Sequence, residues 1–116
     1  MTLRPFGRVT PTQIDMLRLA GYGVDYRARR IGLSRSDDDR MTSMRLGYER
    51  LRNITGQDFG YDLGAWHEYL TTDEDDEFGY QHPYAFSNVR GAIRKAISNE
   101  RRIELAKRLE ESDGTA

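Results

Sequence analysis

The chain has no cysteine. That excludes disulfide frameworks, thiolate zinc sites and cysteine nucleophiles. It has 2 histidines, His67 and His82, and neither has a second histidine three or four residues away, so the helical spacing of a histidine metal site is missing. Lysine is scarce as well: of the 18 basic residues, only Lys95 and Lys107 are not arginine. No apolar run approaches the roughly 20 residues of a membrane span, and residues 1–10 lack the apolar core of a secretory signal. The expectation is a soluble, cytoplasmic protein. There is no Gly-x-Ser-x-Gly elbow, no phosphate-binding glycine loop and no His-Glu-x-x-His helix. An EF-hand starting at Asp73 needs glycine at its sixth place and a carboxylate at its twelfth, and those places hold Phe78 and Tyr84. The sequence therefore points away from an enzyme, and no metal or cofactor is expected.

What is present fits one small domain. The 116 residues suffice for a single modest core. At 37% hydrophobic and 32% charged the chain is polar, yet 1 Trp, 7 Tyr and 4 Phe argue against disorder. The net charge of −1 conceals a strong asymmetry. Residues 1–57 carry 11 positive and 6 negative side chains, whereas residues 58–82 carry 8 negative ones and no Lys or Arg. Eight of the aromatics fall between 59 and 86, in or just after that acidic zone.

Periodicity and capping signals predict an all-α fold of five or six helices. Residues 1–9 read as an extended N-terminal arm, residues 10–111 as a single helical domain, and residues 112–116 as a disordered tail. Thr10, Pro11 and Gln13 form a capping-box start, and Gly21 is a natural stop. Asp25 is read as the cap of a short second helix carrying Tyr26, Ala28 and Ile31 and ending at Gly32. Ser36 caps a longer helix, with Asp37, Asp38 and Asp39 where the helix dipole favours negative charge. Met41, Met44, Tyr48 and Leu51 then share one face. Asp62 caps a helix bearing Leu63, Trp66 and Leu70, and Pro83 opens the last helical region. No segment alternates clearly enough to read as a strand.

Two binding surfaces follow from this layout. The first is the acidic-aromatic stretch: Asp73, Glu74, Asp75, Asp76 and Glu77, with Phe78, Tyr80 and Tyr84. Tyrosines anchor protein interfaces, and clustered charge steers an oppositely charged partner. The leading expectation is a non-catalytic protein-binding module for a basic partner, such as a toxin-immunity or adaptor protein. The alternative is a helix-turn-helix. Ala28 and Gly32 have its spacing, and Arg27, Arg29, Arg30 and Arg35 would contact the phosphates of DNA. Against it, Asp38 stands where the second helix needs an apolar anchor, and three aspartates would face the polyanion.

The string Leu51-Arg52-Asn53-Ile54-Thr55-Gly56-Gln57-Asp58-Phe59-Gly60-Tyr61-Asp62, followed by Trp66, resembles the segment that closes many bacterial HEAT-like repeat proteins. The likeness spans residues 36–70. It implies a domain built around HEAT-like helical hairpins, in a family of protein-binding scaffolds without a shared catalytic activity. The residues speak for themselves too. Gly56 suits a left-handed helix end, Gly60 permits a sharp bend, and Asp62 starts a helix that aims Trp66 back at the preceding one. Replacing Trp66 by Ala is expected to cost about 3–5 kcal/mol in denaturant unfolding. A far smaller loss would place the indole at the surface.

Overall fold

The computed structural model describes residues 1–114. Among them are five helices and two small antiparallel hairpins. The first hairpin pairs β1 (Thr2–Leu3) with β2 (Gly7–Arg8). Helix α1 (Pro11–Leu19) follows, then a second hairpin of β3 (Tyr22–Asp25) and β4 (Arg30–Leu33). The remainder is helical: α2 (Asp37–Thr55), α3 (Leu63–Thr72), α4 (Pro83–Ile97) and α5 (Glu100–Gly114). No described helix is long and apolar enough to cross a membrane.

The helix starts form as their residues dictate. Thr10 Oγ1 accepts from the Gln13 backbone N–H at 3.2 Å, and Gln13 Oε1 accepts from the Thr10 N–H at 2.9 Å, which completes the capping box. Ser36 caps α2 through the Asp39 N–H, and Asp62 caps α3 through the Ala65 N–H. Gly56 ends α2 with φ of 72°, in the left-handed region. Trp66 is fully buried, its Nε1–H donating to the Gly60 carbonyl at 2.9 Å and its ring meeting Phe59 edge-on. Ser98 and Asn99 separate α4 from α5.

The all-α expectation is corrected at two places. Residues 25–32 are not a helix. Val24 pairs with Ile31 and Asp25 with Arg30 across the second hairpin. The physical reason is local: Asp25 Oδ1 takes the Ala28 N–H at 3.0 Å to build a turn, and the chain folds back there so that Ile31 is buried in the core. Arg29 completes that turn with φ of 54°. A helix-turn-helix therefore lacks its first helix, since Ala28 lies in a hairpin turn and Gly32 in a strand. The expected N-terminal arm is likewise a folded hairpin, with Leu3, Phe6 and Val9 buried in the core. It joins the second hairpin, because the Arg4 N–H donates to the Arg29 carbonyl and the Ile31 N–H to the Arg4 carbonyl, both at 2.8 Å. The tail expected over 112–116 is helical as far as Gly114, and residues 115 and 116 lie outside the described residues. HEAT-like repeats are not shown; α1 and α2 are joined by a β-hairpin rather than by a tight turn.

Helix α1 sits at the centre, with every residue from Thr12 to Leu19 buried. Helix α2 lies against it most extensively, and β3 and α4 also pack on it. The α1–α2 approach is set by Gly47. A Cβ there would stand 2.6 Å from the Asp15 carbonyl oxygen and 2.6 Å from the Leu19 nitrogen, the two ends of one α1 hydrogen bond. Those are backbone atoms and cannot swing aside. Gly47→Ala gains about 1 kcal/mol of helix propensity, but must force the helices apart. We expect a net loss of about 1–3 kcal/mol, read as a lower urea midpoint. An unchanged or raised midpoint would show that the helices are spaced more widely.

Candidate functional site

The acidic loop between α3 and α4 is ordered by its own side chains. Asp73 Oδ1 accepts from the Asp75 N–H at 3.1 Å, and Oδ2 from the Glu77 N–H at 2.9 Å. Asp76 Oδ1 accepts from the Gln81 N–H at 2.9 Å. Gln81 Nε2 donates to the carbonyls of Leu70 and Asp73 at 2.9 and 2.8 Å, closing the loop on the end of α3. The start of α1 fixes its far side. Thr10 Oγ1 donates to the Gly79 carbonyl at 2.9 Å, and Gln13 Nε2 donates to the carbonyls of Tyr80 and His82 at 2.9 and 3.1 Å. Asp73 and Asp76 are thus occupied in holding the loop. Glu74, Asp75 and Glu77 are exposed, and their carboxylates have no partner among the described residues.

The aromatics of the stretch divide. Tyr80 is fully buried, which corrects its assignment as a surface anchor. Its hydroxyl lies 2.7 Å from His67 Nδ1, and its ring meets Phe86 edge-on at 5.5 Å. Burial pushes the phenol pKa up. It pushes the His67 pKa down, with Arg94 and Arg90 adding to the effect. Both shifts favour a neutral imidazole accepting the Tyr80 proton. Phe78 is half-buried against the core. Tyr84 is 65% exposed, the most open aromatic of the group, and rests between His82, 4.9 Å from its ring, and the Arg8 guanidinium at 5.3 Å.

The arginines singled out in the sequence are all at the surface. Arg27 and Arg29 lie in the turn of the second hairpin, Arg30 begins β4, and Arg35 follows β4. None has an ion-pair partner among the described residues.

Sequence reading missed a polar group inside the core. Asp15 and Arg18 lie on the buried face of α1, and Asp15 Oδ1 accepts from Arg18 Nη1 at 3.2 Å. Arg18 Nη2 in turn donates to the Tyr26 hydroxyl at 2.9 Å, tying α1 to the hairpin turn. These groups and Arg50 border a concavity of about 240 Å³ with Val9 and Ile14. Burial raises the Asp15 pKa from 3.8 to about 6, against the lowering influence of Arg18 and Arg50. The spacing of Asp15 and Arg18 at i, i+3 was a weak signal for this pair. Among the described residues, no three His, Asp or Glu side chains converge in an arrangement that would hold a metal ion.

No protein-family model, no curated protein and no solved structure matches this chain.

The Asp15 carboxyl gives a direct test of the interior. NMR titration of its carboxyl carbon is expected to show a midpoint at about 6, above the ordinary 3.8. The folded state then takes up the proton before the unfolded chain does. The carboxyl's contribution is therefore most favourable below about pH 4 and is lost as pH rises through about 6. Asp15→Asn should remove that component of the pH dependence. A midpoint at or below 3.8 would show that Arg18 outweighs burial.

Proposed function

We propose that the protein is a non-catalytic protein-binding module whose docking surface is the acidic loop with Tyr84. The observation that carries this reading is a preformed loop with three unengaged carboxylates, those of Glu74, Asp75 and Glu77, in a stretch of 25 residues without Lys or Arg. Asp73, Asp76 and Gln81 hold the loop before any partner arrives, so little ordering remains to be done on binding. Tyr84 supplies the exposed aromatic anchor that Tyr80 cannot. The partner's face is basic, and its association is steered by charge and weakened by salt. The resemblance of residues 36–70 to the closing segment of HEAT-like repeat proteins, a family of protein-binding scaffolds, supports the same reading. An immunity protein that neutralises a basic toxin is one form of such a module, and an adaptor subunit is another.

The test leaves the loop's scaffold intact. Glu74→Gln, Asp75→Asn and Glu77→Gln are combined with Tyr84→Ala, while Asp73 and Asp76 are kept. Circular dichroism should be unchanged, and a partner captured from the native host by the wild type should be lost by the variant. Equal recovery at low salt would overturn this surface.

A further inference from the structure

The two hairpins bring together arginines that lie far apart in the chain. Arg4 comes from the first hairpin, and its backbone is bonded on both sides to the second, at Arg29 and Ile31. Arg4, Arg27 and Arg29 line one concavity of about 430 Å³ with Thr2 and Ala28, and no carboxylate borders it. An adjoining concavity is lined by Met1, Thr2, Leu3, Tyr26 and Arg29, again without a carboxylate side chain. Residues 1–14 and 16–36 carry exposed arginines at 4, 27, 29, 30 and 35, apart from Arg8, which rests on Tyr84, and Asp25 is the one acidic residue in those segments. None of these arginines has an ion-pair partner among the described residues, and the side chain of Asp25 is turned to the Ala28 N–H.

From this placement we infer that the joined hairpins form a surface for the phosphate backbone of duplex DNA. It is a different surface from the acidic loop, and it uses no helix-turn-helix. Arginine presents a rigid fork of donors that matches phosphate oxygens. The B-form major groove admits a two-stranded ribbon such as β3–β4, whereas the deep, narrow groove of duplex RNA does not. Single strands are held mainly by stacking on aromatic faces. Tyr26 is the one aromatic among the residues bordering these two concavities, whereas a single strand calls for a series of them. A protein partner would be expected to meet an apolar centre ringed by polar groups. This end of the molecule presents exposed arginines without ion-pair partners beside the exposed Met1, Tyr26 and Leu33, and that arginine-rich character is the mark of the wetter interfaces with DNA.

Fluorescence anisotropy with a labelled mixed-sequence DNA duplex tests the inference. Binding is expected at a Kd of about 10⁻⁴–10⁻⁶ M near physiological salt, with log K falling linearly as log salt rises. The triple variant Arg27→Gln, Arg29→Gln and Arg30→Gln should weaken binding and lower the salt slope by about 0.9 for each phosphate it no longer neutralises. A second triple variant, Arg94→Gln, Lys95→Gln and Lys107→Gln, makes the same change in net charge on α4 and α5 and should bind nearly as wild type. The altered side chains are all exposed, so both variants should fold, which circular dichroism checks. No binding at low salt would overturn the inference. So would equal weakening by the two variants, or tighter binding to a single strand or to polyglutamate than to the duplex.

Discussion

A nine-residue helix buried from Thr12 to Leu19 is the constraint from which the rest of this structure follows. Helix α1 is too short to be stable alone, and it carries Gln13, Asp15 and Arg18 into the interior along with Ile14, Met16, Leu17 and Leu19. A buried polar group without a partner costs about 1–3 kcal/mol. Each of these is therefore satisfied, Asp15 within the helix and the others by neighbouring elements. Gln13 bonds to the chain after the acidic loop, Arg18 to Asp15 and to the hairpin turn, and the Leu19 carbonyl accepts from Arg102 of α5. Apolar contact holds α2 against α1, and Gly47 is what lets it come close enough. The polar bonds then set where the peripheral pieces sit.

This arrangement accounts for the separation of charge on the surface. The acidic loop is tied to the beginning of α1 through Thr10 and Gln13, and the arginine-bearing hairpin is tied to α1 through Arg18 and Tyr26. Both are short excursions of chain held by bonds to one rigid rod. Their charged side chains are not consumed in those bonds. Asp73 and Asp76 hold the loop while Glu74, Asp75 and Glu77 stay free, and Arg18 holds the turn while Arg27 and Arg29 stay free. A near-zero net charge thus coexists with an acidic loop and an arginine-rich pair of hairpins.

Signals confined to a few neighbouring residues were legible in the sequence. The capping box at Thr10, the caps at Ser36 and Asp62, the left-handed Gly56 and the buried Trp66 all depend on chemistry within about one turn of helix. The hairpins were not legible. Strands of two and four residues carry too few positions for alternation to show, and their stability comes from Leu3, Phe6 and Ile31 meeting α1 and its neighbours. Tyr80 was misplaced for a related reason. An acidic stretch reads as solvent-facing, but Gln13 and Gln81 fold the end of that stretch inward until the phenol meets His67. Asp15, Arg18 and Arg102 were unreadable as interior groups, because polarity predicts exposure unless the partner is known.

Arg102 shows how far that dependence runs. Its guanidinium is buried without a carboxylate in hydrogen-bond reach, and burial lowers its pKa to about 10. Two carbonyls hold it: Leu19 at the end of α1, at 3.2 and 3.0 Å, and Tyr61 in the turn before α3, at 2.7 Å. The last carbonyls of a helix have no partner within it and carry the negative end of its dipole. A buried cation placed there is favoured by α1 itself, and it satisfies the Leu19 acceptor that the buried helix end would otherwise expose. Lysine has the charge but not the planar fork that reaches two carbonyls on different elements. Through this one side chain the end of α1, the turn at Tyr61 and helix α5 share a single joint. The C-terminal helix is therefore bound to the centre of the fold by a polar contact that only the assembled structure makes affordable, just as the acidic loop and the arginine hairpin are.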